Sequence, residues 1–171
     1  MSARIRMATS AQDIEQAREL MRTYARWTEV NLCFQNFEGE LAELPGKYSA
    51  PSGALWVAHT EQTAIPVGVV AVRPLDGSAG DSASAGDAVS ACELKRLWVE
   101  PQAKGTGLGR ALAETAITFA RNAGYTETKL DTLRTRMPAA IALYRSLGFV
   151  DAEPYTHNPE PDVLYMTLKL S

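Results

Sequence analysis

The stretch ELKRLWVEPQAKGTGLGRAL, residues 93–112, constrains this chain more than any other part of it. A largely apolar run ends at Val99. A short loop follows with Gly105, Gly107 and Gly109, and apolar residues then recur at helical spacing. That order predicts a strand, a glycine-rich turn and an amphipathic helix. The first N–H groups of a helix have no acceptor within it and carry a partial positive charge. Glycines let an anion reach those groups without meeting a Cβ. Lys104 and Arg110 flank the turn and add charge. The ligand such a turn predicts is a phosphate or pyrophosphate. The alternative is a turn and helix cap that bind nothing.

Residue identity excludes two phosphate motifs. A GxxxxGK[ST] loop needs Gly-Lys followed by Ser or Thr, and none follows here. A GxGxxG fingerprint fails from Gly105, because position 110 is Arg, and from Gly107, because position 112 is Leu.

The rest of the chain surrounds this turn with alternating elements. Arg4–Ala8 reads as a strand, and a Ser10 or Asp13 cap opens a helix to about Glu29. Asn36–Leu44 reads as a shorter helix, ended by Pro45-Gly46. Ala54–His59 and Pro66–Arg73 read as strands, the second apolar enough to be buried on both faces. Residues 76–90 contain only Gly, Ala, Ser and Asp with one Val, which predicts a mobile loop between strands rather than a domain boundary. Cys92–Val99 has a phase break: Leu94 falls on one side, Leu97 and Val99 on the other. One extra residue near Lys95-Arg96, a β-bulge, reconciles them. Leu108–Ala123 is the clearest helix, with Leu108, Ala111, Leu112, Thr115, Phe119 and Ala123 as its inner stripe. Thr128–Leu133 follows as a strand, Pro138–Leu147 as a helix, then Phe149–Ala152 and Val163–Leu170 as strands. Such alternation predicts an α/β or α+β fold with one mixed sheet. A length of 171 residues fits a single domain over 1–171.

Charge narrows the partners. Seventeen Lys and Arg against 20 Asp and Glu leave a net charge of −3, which argues against nucleic acid. The longest nearly apolar run, Ala64–Val72, is far short of the ~20 residues that span a bilayer, so no membrane partner is expected. Two cysteines build no disulfide framework, and the amino terminus has no signal-peptide core. A reduced, cytoplasmic setting is expected.

At two places the chain resembles the GNAT superfamily of N-acetyltransferases. The run Leu97-x-Val99-x-Pro101, then Lys104-Gly105-x-Gly107-Leu108-Gly109, then Leu112 is similar to the family's acetyl-CoA signature. Ala140-Ile141-x-Leu143-Tyr144-x-x-Leu147-Gly148-Phe149 is similar to its later helix. Two departures stand out. Lys104 occupies a position usually Gln or Arg, and Met137 stands where the family often has Asn. The resemblance implies one mixed, mostly antiparallel sheet flanked by helices. It also implies acetyl transfer from acetyl-CoA to an amine, by direct attack in a ternary complex without a metal.

Site residues follow from the same resemblance. The backbone of Lys104, Gly105, Thr106, Gly107, Leu108, Gly109 and Arg110 is expected to hold the pyrophosphate. Leu97 and Val99 are expected to pair with the pantetheine arm like an added strand. An N–H near Leu97 or Trp98 is the expected oxyanion donor. Tyr144 is expected to protonate the departing thiolate, with a core aromatic as the plainer alternative. Glu93 is the candidate base, against an ion pair with Lys95, Arg96 or Lys129. Cys92 reads as a small buried residue, since neither His59 nor His157 is placed by a motif to activate it. No zinc-ligand spacing is present. The acceptor is expected to be a small-molecule amine, near segments carrying Tyr24, Trp27, Glu38, Glu43, Tyr48, Tyr155 and His157. A protein amine, a non-catalytic acyl-CoA sensor and a nucleotide-binding domain remain alternatives. The final paired strand could support a homodimer.

Overall fold

A computed structural model describes residues 2–61, 64–75 and 90–171. Almost all of the loop expected at 76–90 therefore lies outside the described residues. The chain runs β1 (Ala3–Met7), α1 (Ala11–Thr28), α2 (Phe37–Glu43), β2 (Ala54–Thr60), β3 (Pro66–Pro74) and β4 (Ala91–Val99). It continues through α3 (Leu108–Asn122), β5 (Glu127–Leu133), α4 (Pro138–Ser146), β6 (Val150–Asp151) and β7 (Val163–Lys169). Ser10 caps α1, its side chain accepting from the Asp13 N–H.

The strands form one seven-stranded sheet in the order β1-β2-β3-β4-β5-β7-β6. Only β4 and β5 pair in parallel, and all other neighbours are antiparallel. This is the mixed, mostly antiparallel sheet that the sequence resemblance implies.

Each face of the sheet carries its own core. Trp56, Val70, Val72 and Leu94 pack with Leu112, Ile117 and Tyr144 beneath α3 and α4. Leu55, Val57, Val69 and Ala71 pack with Ala17, Met21 and Leu41 beneath α1 and α2. Alternate residues of β2 and β3 thus serve opposite cores, as the period of a strand requires. The apolar run in β3 is buried on both sides for this reason.

Helix α3 corrects one expectation. Its buried residues are Leu108, Leu112, Ala113, Ala116, Ile117 and Ala120. Ala123, expected on the inner stripe, is exposed, and Ala111 and Thr115 lie at its margin. The many small residues of this helix leave the centre of the stripe weakly marked, and contact with the sheet sets the rotation.

Candidate active site

Strand β4 carries the bulge that the phase break predicts. Val69 lies opposite Trp98 and Ala71 opposite Lys95, so Arg96 and Leu97 together face Val70. Arg96 takes a positive φ of 59°. For a side chain of this size that conformation costs roughly 1–2 kcal/mol. The contacts of Arg96 offset the cost. Its guanidinium donates to both carboxylate oxygens of Glu40, at 3.2 and 2.6 Å, and lies 5.0 Å from the Phe37 ring centroid. Burial pulls the Arg96 pKa down, but the Glu40 charge and hydrogen bonds outweigh burial and raise it. Tyr48 donates its hydroxyl to the same carboxylate.

Just before the bulge, β4 leaves its parallel neighbour. The β4–β5 ladder contains only Ala91–Glu127, Cys92–Thr128 and Glu93–Lys129. β5 stays paired with β7 up to Leu133 and β4 with β3 up to Val99, so the sheet forks between β4 and β5. A cavity of about 70 Å³ fills the fork, lined by Leu94, Leu97, Leu133, Met137, Ala140 and Tyr144 among others. A larger basin of about 370 Å³ opens on the α2 side, lined by Glu40, Glu43, Tyr48, Arg73 and His157 among others. Lys95, Arg96 and Asp131 border both spaces.

The glycine turn lies between the end of β4 and the start of α3. Gly105 and Gly107 have φ of 77° and 87°. A Cβ built on either meets no atom within 4 Å. Gly107 caps α3 without a side-chain hydrogen bond. Among the described residues, the N–H groups of 105–110 find no backbone acceptor, whereas Lys104 donates to Pro101 and Ala111 to Gly107. Six successive donors without backbone acceptors therefore stand at a helix N-terminus, with open space over Gly105 and Gly107, an arrangement suited to an anion. Lys104 departs from expectation. Its ammonium sits 5.0 Å from the Trp27 ring centroid and 4.8 Å from that of Trp98. The cation ties the turn to α1 through aromatic faces. Arg110 donates to Ser146 Oγ of α4 at 2.6 Å.

Glu93 is fully buried and heavily engaged. Arg73 donates to its Oε2 at 2.8 Å, Tyr155 donates to Oε1 at 2.8 Å, and Lys95 Nζ lies 3.7 Å away. This geometry favours the ion-pair alternative. Of the partners weighed from sequence, Lys95 is here, while Arg96 pairs instead with Glu40 and Lys129 with Glu127. Burial, and then the Glu93 charge, push the Tyr155 pKa up.

Tyr144 is buried on α4, packed against Phe149 at 5.6 Å between centroids, and lines the fork. Its hydroxyl has no hydrogen-bond partner among the described residues, and burial raises its pKa. Cys92 faces the α3 core, and burial pushes its thiol up to about 11, which disfavours a thiolate nucleophile. No group of three or more metal-ligating side chains occurs among the described residues.

Comparison with known proteins decides the family. Residues 14–149 match the Acetyltransferase (GNAT) family. The chain belongs to that family. It is 39% identical over 160 residues to an uncharacterized N-acetyltransferase of Schizosaccharomyces pombe, covering 94% of this chain and 90% of the relative. GNAT N-acetyltransferase chemistry is therefore its activity class. A GNAT-family acetyltransferase of Staphylococcus aureus shares the fold, with a TM-score of 0.75 at 16% identity over 99% of this chain and 100% of that one. The PaiA N-acetyltransferase of Thermoplasma acidophilum, solved with coenzyme A, has a TM-score of 0.71 at 18% identity over 99% and 100% of the two chains.

The structure brings Leu97, Tyr144 and the forked strands together, and sets the 104–110 turn at the end of the same strand. Of the acceptor-side residues expected, Glu43, Tyr48 and His157 line the basin and Tyr24 lines the fork. Trp27 instead covers Lys104, and Glu38 lies in a separate depression beside α1. Arg73, Glu40 and Asp131 were not foreseen from sequence. An acidic residue facing the basin from β5 was the one signal available, since Lys129 and Asp131 share a strand face with period two. No helix among the described residues is long and apolar enough to cross a membrane.

Proposed function

We propose that this GNAT enzyme transfers an acetyl group from acetyl-CoA to a primary amine of a small molecule, by direct attack within a ternary complex. The six unpaired N–H groups of 105–110, with open space over Gly105 and Gly107, carry the reading. A coenzyme diphosphate is the anion whose size and charge suit that row. The coenzyme A complex of the Thermoplasma acidophilum relative supports the choice of ligand.

The rest of acetyl-CoA follows the strand. Beyond Glu93 the inner edge of β4 has no β5 partner, so Leu97 and Val99 offer their backbone to the pantetheine arm as an added strand would. The bulge leaves Leu97 without a register partner on β3, and its N–H is the donor we assign to the developing oxyanion, with Trp98 next in line. One such donor contributes about 2.7–4 kcal/mol in acyl transfer. Tyr144, held protonated by its burial, supplies the proton for the departing thiolate. The amine enters from the basin on the α2 side. The reduced cytoplasm is the compartment we assign.

Free-thiol release from acetyl-CoA, screened against amino acids, polyamines and aminoglycosides, tests the function. Thermal stabilisation by acetyl-CoA but not by NAD or ATP is expected alongside it. Tight coenzyme binding with no thiol release from any amine would mark a sensor instead.

A further inference from the structure

We infer that Asp131 is the carboxylate that meets the acceptor amine, binding its ammonium and taking its proton at the junction of the two cavities. The inference rests on the acetyl-transfer reading above.

Four observations converge on this residue. Asp131 borders both the fork and the basin, so it stands where an amine from one side meets a thioester from the other. It lies on β5 two residues past Lys129, where the parallel ladder has already ended, on the strand face that Lys129 and Glu93 share. Asn158 donates to its Oδ2 at 2.9 Å, which fixes the carboxylate and leaves Oδ1 without a hydrogen-bond partner among the described residues. No described cation lies in ion-pair contact with it, in contrast to Glu93, whose oxygens are taken by Arg73, Tyr155 and Lys95. A half-buried carboxylate with one free oxygen is suited to an incoming ammonium. Its charge also reaches the Tyr24 and Tyr144 hydroxyls and the Lys95 ammonium beyond ion-pair distance, which places it within electrostatic range of the proposed acid.

The chemistry balances without another reagent. The carboxylate removes one ammonium proton, and the freed nitrogen lone pair forms the C–N bond to the thioester carbonyl. The C–S bond breaks, and the thiolate leaves with the Tyr144 proton. The second proton lost by nitrogen replaces the one Tyr144 gave, and Asp131 releases its proton to solvent. The net products are an amide, coenzyme A and one proton.

Asp131→Asn preserves shape and the Asn158 contact, and it removes only the charge. Two nucleophiles separate proton removal from packing: methylamine (or the best amine of the panel), which is protonated at neutral pH, and hydroxylamine, which is not. The variant is expected to lose about 10²-fold in kcat/KM with methylamine. It should match wild type with hydroxylamine, after subtraction of the uncatalysed reaction, and keep acetyl-CoA affinity. Unchanged rates with both nucleophiles, or equal losses with both, overturn the assignment of Asp131 alone. If the variant misfolds, Asn158→Ala must show the same selective loss in weaker form, and its failure to do so overturns the assignment equally. Wild-type protein that binds acetyl-CoA yet releases thiol with no amine overturns the transfer reading and this inference with it.

Discussion

Replacing Glu93 by Gln separates a catalytic carboxylate from a structural one. Glu93 is wholly buried and accepts from Arg73 and Tyr155 at 2.8 Å, with Lys95 at 3.7 Å. Gln keeps the volume but removes the charge that two cations face. Breaking a buried pair by removing one partner costs about 3–5 kcal/mol. Two features place this site at the lower end. The Arg73 side chain is 29% exposed and can be partly hydrated. Burial already pulls the Lys95 pKa down against the pull of Glu93, so losing the Glu93 charge lowers it further and reduces the cost of leaving that lysine unpaired. About 3 kcal/mol is therefore expected, and at ~2–4 °C per kcal/mol for a chain of this size Tm should fall by roughly 6–12 °C. Urea unfolding and a thermal melt read the loss, and thiol release in the cold, where the variant stays folded, reads activity. A small loss of turnover with an unchanged acidic limb of the pH–rate profile is the expected companion. A variant with wild-type Tm and a ~10²-fold slower reaction would restore Glu93 as the base and refute the reasoning.

Other perturbations have equally definite outcomes. Tyr144→Phe should lower kcat by ~10²-fold with acetyl-CoA affinity kept, as steady-state kinetics and calorimetry would show, and equal rates would make it a core aromatic only. Gly107→Ala and Gly124→Ala place a Cβ at the same φ of 87°, each into open space, so each should cost roughly 1–2 kcal/mol of stability. Only the first should also weaken acetyl-CoA binding, by about tenfold or more in calorimetry. Acid should act on stability in two stages. Burial and Arg6 lower the His59 pKa from 6.5, so the unfolded chain binds that proton first and stability falls as pH drops below 6.5. Burial raises the Glu40 pKa, but Arg96, Tyr48 and Lys95 together outweigh it and lower the group from 4.5, so its contribution is present above 4.5 and is lost at lower pH. Urea unfolding across this range should show His59→Asn flattening the first stage and Glu40→Gln the second.

What sequence reveals here follows the range of the interactions. The bulge at Arg96 is legible because side-chain alternation is local, and Leu94 against Leu97 breaks it within three residues. The turn at 105–110 is legible for the same reason, since glycine spacing and the following stripe are neighbours in the chain. The partners of Glu93 are not. Arg73 is 20 residues away and Tyr155 is 62 away, and no periodicity links them. The Glu40–Arg96 pair, 56 residues apart, is hidden likewise. Lys104 shows the opposite error: its place in the motif is legible, but its ammonium is drawn to two indoles, one of them 77 residues earlier on α1. Asp131 is an unremarkable alternating position on β5 until the fork opens beside it.

Amide NMR titration tests the central claim most directly. With 15N-labelled protein, coenzyme A should shift the N–H signals of Gly105, Gly107 and Gly109, while pantetheine, which lacks the diphosphate, should leave them in place. Identical shifts from both ligands, or none at these glycines under saturating coenzyme A, would contradict it.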